Sequence, residues 1–302
     1  MRYPVLRLVP LAALLVAAGG CASFGSGTSL PFASTSNGGG GSTGTHSPGG
    51  TTTALLRFVQ GSPDFGSVDV CVDNETFAPA TPSTAYGSAS PLFSTPGGIT
   101  ETIAVYPSTG EFGGGPGVEC PTAPGPYLGT SPIAVTTIAP GKTGNPRRET
   151  IVLGGTAASG TLGFYIFGEP SFATAVTGSE AISHNGAPAF SATTPNQSIG
   201  FGEVPPSGPQ VDLAGAQSVP APTKAATSSA AINPAVVSPI ATPPTSFYDG
   251  IGMPSGGVVP VGTASAPAAV AGPYVVQLYA IDAPGGSLGL VAVAEQTTGF
   301  GF

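Results

Sequence analysis

No stretch of this chain keeps its apolar residues at helical spacing. They fall into short runs, each closed by Gly or Pro, and that punctuation leaves strands as the element these residues can build. The clearest run is Ser67-Val-Asp-Val-Cys-Val-Asp73, whose period of two sets Val68, Val70 and Val72 on one face and Asp69, Cys71 and Asp73 on the other. Further strands are expected at 54–59, 102–106, 133–138, 149–153 and 161–167, with a turn at Gly61-Ser-Pro-Asp64. The 47 Gly and 34 Pro supply the turns such a chain needs, and charged residues make up only 7% of it. The fold class is therefore read as all-β.

Before the first strand the sequence has a different character. Arg2 and Arg7 precede an apolar run from Leu8 to Ala18, and Gly19-Gly20-Cys21 follows. A charged start, an apolar stretch too short to span a bilayer and small residues before a cut predict a secretory signal peptide. Because a cysteine follows the small pair directly, the segment resembles the lipobox of bacterial lipoproteins. That resemblance implies removal of residues 1–20, lipid on Cys21, and an exported, membrane-anchored protein. Ala18 stands where the lipobox usually carries Leu. From Ala22 to Thr52 the chain is dominated by Gly, Ser and Thr without apolar periodicity, so 21–52 reads as a flexible, disordered tether that contains His46.

Two near-repeats organise the rest. Gly61-Ser-Pro63 returns as Gly186-Ala-Pro188, and Thr161-Leu-Gly-Phe-Tyr-Ile-Phe-Gly-Glu169 returns as Ser287-Leu-Gly-Leu-Val-Ala-Val-Ala-Glu295. Two matches at nearly one offset predict a duplicated unit. They divide the chain into a β-sandwich domain over 53–177 and a more divergent one over 178–302. The second carries a Pro/Ala-rich excursion at 205–245, read as extended surface chain or as a disordered spacer.

Leu56-Arg-Phe-Val-Gln-Gly-Ser-Pro-Asp64 followed by Val68-Asp-Val-Cys-Val-Asp73 resembles the bacterial domain-of-unknown-function 4397 family. Its pattern runs Leu-Arg-Val-Val-His-Ala-Ser-Pro-Asp and then Val-Asp-Val-Tyr-Val-Asp-Gly. The resemblance covers about residues 53–177 well and 180–300 weakly. It implies two tandem immunoglobulin-like sandwiches in an envelope protein, and no activity. The family His is Gln60 here and Asn185 in the second copy, and the family Tyr is Cys71.

Chemistry is sparse. With Cys21 assigned to lipid, Cys71 and Cys120 are an even pair in an oxidising compartment, and a disulfide is expected between them, with two free buried thiols as the alternative. It would pin the Gly/Pro-rich loop from Gly113 to Gly125 across the outside of a sheet. Asp64, Asp69 and Asp73 with Glu75 form the densest acidic group, but strand spacing sets Asp69 and Asp73 about 13 Å apart, so no metal site is expected. His184 is the one histidine beyond the tether and reads as a strand residue with satisfied hydrogen bonds. Glu169 and Glu295, equivalent by repeat, read as strand-end residues, and Phe247 and Tyr248 with Asp249-Gly250 are a weak candidate contact patch set against ordinary core packing. The sequons at Asn74 and Asn196 read as accidental. A net charge of −8 opposes nucleic-acid binding. The functional expectation is a non-enzymatic envelope lipoprotein, without a cofactor, that binds an envelope protein or glycan or serves structurally. The alternative is an envelope hydrolase using acidic residues.

Overall fold

The computed structural model describes residues 53–72, 81–96, 100–108, 132–138, 148–169, 178–226, 232–240, 242–267 and 274–296. Their strands are β1 (Thr53–Gln60), β2 (Ser67–Val72), β3 (Thr81–Ala85), β4 (Ser88–Ala89), β5 (Phe93–Pro96), β6 (Glu101–Pro107), β7 (Ala134–Ile138), β8 (Arg148–Gly154) and β9 (Gly163–Glu169) in the first half. The second half holds β10 (Ser179–Gly186), β11 (Ser198–Val204), β12 (Val211–Asp212), β13 (Ile232–Asn233), β14 (Val236–Ile240), β15 (Ser246–Gly252), β16 (Val258–Ser265), β17 (Tyr274–Ala283) and β18 (Ser287–Gln296). One short helix, α1 (Pro188–Thr193), follows β10. The all-β expectation stands, and each of the six strands expected from the sequence overlaps an observed one.

Four sheets result. The first has the order β13-β9-β8-β1-β4, with β5 also on β1, and the second β3-β2-β6-β7; the third has the order β14-β10-β17-β18 and the fourth β12-β11-β15-β16. The two halves share one scheme. β1 runs parallel to β8 and antiparallel to β5, as β10 runs parallel to β17 and antiparallel to β14. Gly154 pairs with Gly163, and Ile281 with Gly289, so Leu162 and Leu288 enter corresponding strands. The immunoglobulin-like connectivity implied by the family resemblance is not the one observed. An immunoglobulin sandwich keeps its first two strands in one sheet. Here the turn after β1 carries the chain across the core, so β1 and β2 lie in different sheets, as do β10 and β11.

Alternation along each strand builds the cores. Leu56, Phe58, Ile151, Leu153, Phe164 and Ile166 of the first sheet meet Val68, Val70, Ile103 and Val105 of the second. Val276, Leu278 and Ala280 of the third meet Ile199, Phe201 and Phe247 of the fourth. The intervening residues of the first and third sheets face each other: Val59, Val152, Tyr165 and Phe167 pack on Tyr279, Ile281 and Val291. Both faces of these two sheets are thus covered, which is why β8 is buried at all seven positions and β17 at nine of ten. Each large apolar side chain so buried contributes about 1.5–3 kcal/mol. Close approach of the two sheets depends on glycine, since a Cβ on Gly154 would lie 2.8 Å from the Gly186 carbonyl oxygen.

The 205–245 excursion does more than cover its own half. β12 pairs with β11, and Val219 bridges Ile199. The chain then crosses to the first half, where Ala225 donates its N–H to the Phe164 carbonyl (2.8 Å) and joins the core there. Thr136 of β7 donates to the Ala226 carbonyl, Lys224 to that of Leu162, and β13 adds a parallel edge to β9. The Asn233 side chain ties this strap together, bonding Ile166 O and both backbone groups of Thr223. β14 finally returns to β10.

Candidate functional site

The strands that alternate between two cores bring a set of polar side chains into the seam between the first and third sheets. Arg57 of β1 and Arg148 of β8 share the carboxylate of Glu295 on β18, one guanidinium on each oxygen, and all three are nearly inaccessible to solvent. The Arg148–Glu295 bond is 2.5 Å long. Thr150 and Tyr279 join hydroxyls at 2.8 Å across the same seam. His184 of β10 lies stacked on Tyr279, with centroids 4.6 Å apart, and edge-on to Phe167 of the first half. Its Nε2 meets Gln277 Oε1 at 2.7 Å, so that nitrogen carries the proton, while Nδ1 has no partner among the described residues. Full burial, together with the nearby Arg57 charge and against the Gln277 hydrogen bond, lowers its pKa to about 4.

At the end of this seam Asp282 joins the halves. Its carboxylate accepts the N–H groups of Gly155 (2.9 Å), Ala189 (3.2 Å) and Phe190 (2.8 Å). Ala187 offers no side-chain cap to α1, so the helix takes its cap from Asp282, almost a hundred residues on. Tyr86 donates to the Asp282 carbonyl at 2.7 Å. Burial nevertheless raises the Asp282 pKa, outweighing the three donors.

Of the residues singled out from the sequence, His184 and Glu295 share the seam, while Asp64 and Asp69 are engaged elsewhere. Asp64 uses its carboxylate on the Ala157 N–H, and Asp69 uses its own on the Ser83 N–H, where Ser83 has a φ of 50°. Asp73 and Glu75 lie outside the described residues, as do Cys21, His46 and Cys120. No group of three or more metal-ligating side chains occurs among the described residues. Cys71 does lie opposite the valines of β2, but that face is covered as well, and Cys71 packs with Ala104 and Tyr106. Glu295 does lie at the end of β18, and it is also the counter-ion of two arginines. The patch proposed at Phe247 and Tyr248 is buried: Phe247 belongs to the core, and Tyr248 donates to Asp212 at 2.7 Å.

Two features had no role assigned to them from the sequence. Gln60 and Asn185 close the turns after β1 and β10 in the same way, each accepting the N–H two residues on. The second feature is Asp249 of β15. It is fully buried and accepts the Gly262 N–H at 2.9 Å through one oxygen, while the other has no partner among the described residues. Burial raises its pKa to about 7, against the lowering effect of that hydrogen bond.

His184 and Asp249 make opposite contributions to the pH dependence of stability. The His184 pKa falls on folding, so its contribution is lost as pH drops from about 6.5 to about 4; the Asp249 pKa rises, so its contribution is lost as pH climbs from about 4 to about 7. Each amounts to about 3–4 kcal/mol over its full range. Asp249→Asn is therefore expected to be more stable than the parent at pH 8, with the advantage shrinking towards pH 4. Urea midpoints across that range check this, and a difference independent of pH would refute the assignment.

A groove of about 490 Å³ opens at one end of the second half. Asn185 at the end of β10, Ser191 of α1, the 195–198 turn, residues 218–221 of the strap and the 252–254 turn line it, and none of these described lining residues is ionisable. The Asn185 amide is held by Ser191 and by the Ala187 N–H. No protein-family model matches this chain, and no curated protein matches it in sequence.

Proposed function

We propose that this protein is an exported cell-envelope lipoprotein that acts without catalysis, as a binding or structural module. In this reading Cys21 carries the lipid, 21–52 is the tether, and the remainder is two copies of one β-sandwich unit. A disulfide joins Cys71 to Cys120. The membrane is the partner through the lipid, and an envelope protein or glycan is the partner through the folded part.

The observation that carries the non-catalytic reading is where the titratable groups are placed. General acid or base catalysis needs such a group within reach of a substrate. His184 is sealed between two sheets, Glu295 neutralises arginines, and Asp282 caps backbone N–H groups. The hydrolase alternative would draw on the raised pKa of Asp249, but that carboxyl faces the core, and the groove offers no carboxylate.

The test is intact-mass measurement of protein recovered from bacterial membranes, with and without alkylation. The expected mass lacks residues 1–20, includes a diacylglyceryl thioether on Cys21, and gains no alkyl groups unless reductant is added. Cys21→Ser should leave the membrane on carbonate washing; retention would overturn the anchor. Turnover of ester, peptide or glycoside substrates by the purified mature protein would overturn the non-catalytic half.

A further inference from the structure

We propose that the groove beside α1 binds an uncharged oligosaccharide. The proposal rests on the reading of this chain as a binding module and names the ligand class. At about 490 Å³ the groove falls in the size range of small-ligand sites. Its chemistry is narrow. Among the described residues no Asp, Glu, Lys, Arg or His lines it, so this lining does not neutralise a phosphate, a carboxylate or an ammonium group. Asn196, Gln197 and Ser218 are exposed along it, and their side chains make no hydrogen bond to another described residue. An amide presents a donor and an acceptor side by side, and a hydroxyl is both at once. Such a lining matches a ligand that is itself a row of hydroxyls.

The walls are stiff. Pro195, Pro220 and Pro254 fix the backbone on three separate loops, and the Asn185 amide is locked from two sides. A site with its polar groups already in place loses less entropy on binding. The proline faces and the exposed Met253 offer apolar surface to the C–H face of a sugar ring. A peptide fits the groove less well. Strand addition needs an open sheet edge, and turns, strap and helix surround this groove instead. The net charge of −8 adds a general repulsion against polyanions.

The experiment is calorimetric titration of the mature protein, from residue 21 onward, with maltohexaose, cellohexaose, xylohexaose, mannohexaose and the hexamer of N-acetylglucosamine. Hexagalacturonate and a blocked Gly/Ser hexapeptide are the counter-probes. At least one neutral hexasaccharide is expected to bind, with affinity unchanged between about 20 and about 500 mM salt because no charge is involved. Asn196→Ala combined with Gln197→Ala is expected to weaken binding about tenfold, a loss of about 1.4 kcal/mol, at unchanged Tm. No binding of any panel member at about 5 mM, binding that the double variant retains, or preference for either counter-probe overturns the proposal. Cleavage of a bound hexasaccharide would instead uphold the groove and overturn the non-catalytic reading.

Discussion

Glu295→Gln is expected to destabilise the protein by about 3–5 kcal/mol, the usual result of removing one partner from a buried ion pair. The glutamine is nearly the same size and keeps one acceptor, so packing changes little. What it removes is a carboxylate charge bonded to both Arg57 and Arg148 inside the seam. Adding Arg148→Gln to the Glu295→Gln background should recover part of the loss, because one buried cation then disappears with its partner. Urea unfolding followed by circular dichroism measures both. A loss below about 1 kcal/mol for Glu295→Gln would show that water reaches the seam and screens the charges.

Asp282→Ala comes second, at about 2–4 kcal/mol. Three N–H groups, those of Gly155, Ala189 and Phe190, would lose one shared acceptor, and each unsatisfied buried donor costs about 1–3 kcal/mol before relaxation. The damage should span both halves, since Gly155 belongs to the β8–β9 turn and the other two to α1. Gly155 also sits at a φ of +82°, where its Cβ would meet the Thr161 backbone at 2.4 Å, so no other residue can readily substitute at that turn. Amide hydrogen exchange distinguishes this from general loosening. Faster exchange at those three amides, with the strand amides of β17 unchanged, is the expected pattern, and uniform acceleration would reject it.

Much of the strand content was legible because alternation needs only local sequence. Val68, Val70 and Val72 face one way whatever lies beyond them. What alternation cannot reveal is whether the opposite face meets water. Arg57, Arg148 and Glu295 look like ordinary solvent-side residues, and only the pairing of one sheet with the other turns them into a buried triad. His184 was readable as a strand residue, but its neighbours Phe167, Gln277 and Tyr279 come from two other strands, β9 and β17. Glu169 and Glu295 correspond by repeat, yet repetition says nothing about which copy must supply a counter-ion. The strap was hardest, because the Ala225 N–H and the Asn233 side chain both bond backbone carbonyls, those of Phe164 and Ile166, and backbone partners leave no signature in side-chain pattern. The groove was equally unreadable, since turns far apart in the chain assemble it.

The seam joins corresponding faces: β1, β8 and β9 on one side, β10, β17 and β18 on the other. A contact between like faces is the kind a homodimer makes across a twofold axis. A single unit with this face could therefore have covered it with a second identical chain, at a cost in concentration that covalent linkage removes. Linkage also ends the requirement that both faces be identical. Two arginines could then settle on one side and their glutamate on the other, an arrangement that two copies of one sequence cannot adopt without carrying both sets. The asymmetric triad makes the two halves complementary, each carrying the charge that the other lacks at this seam.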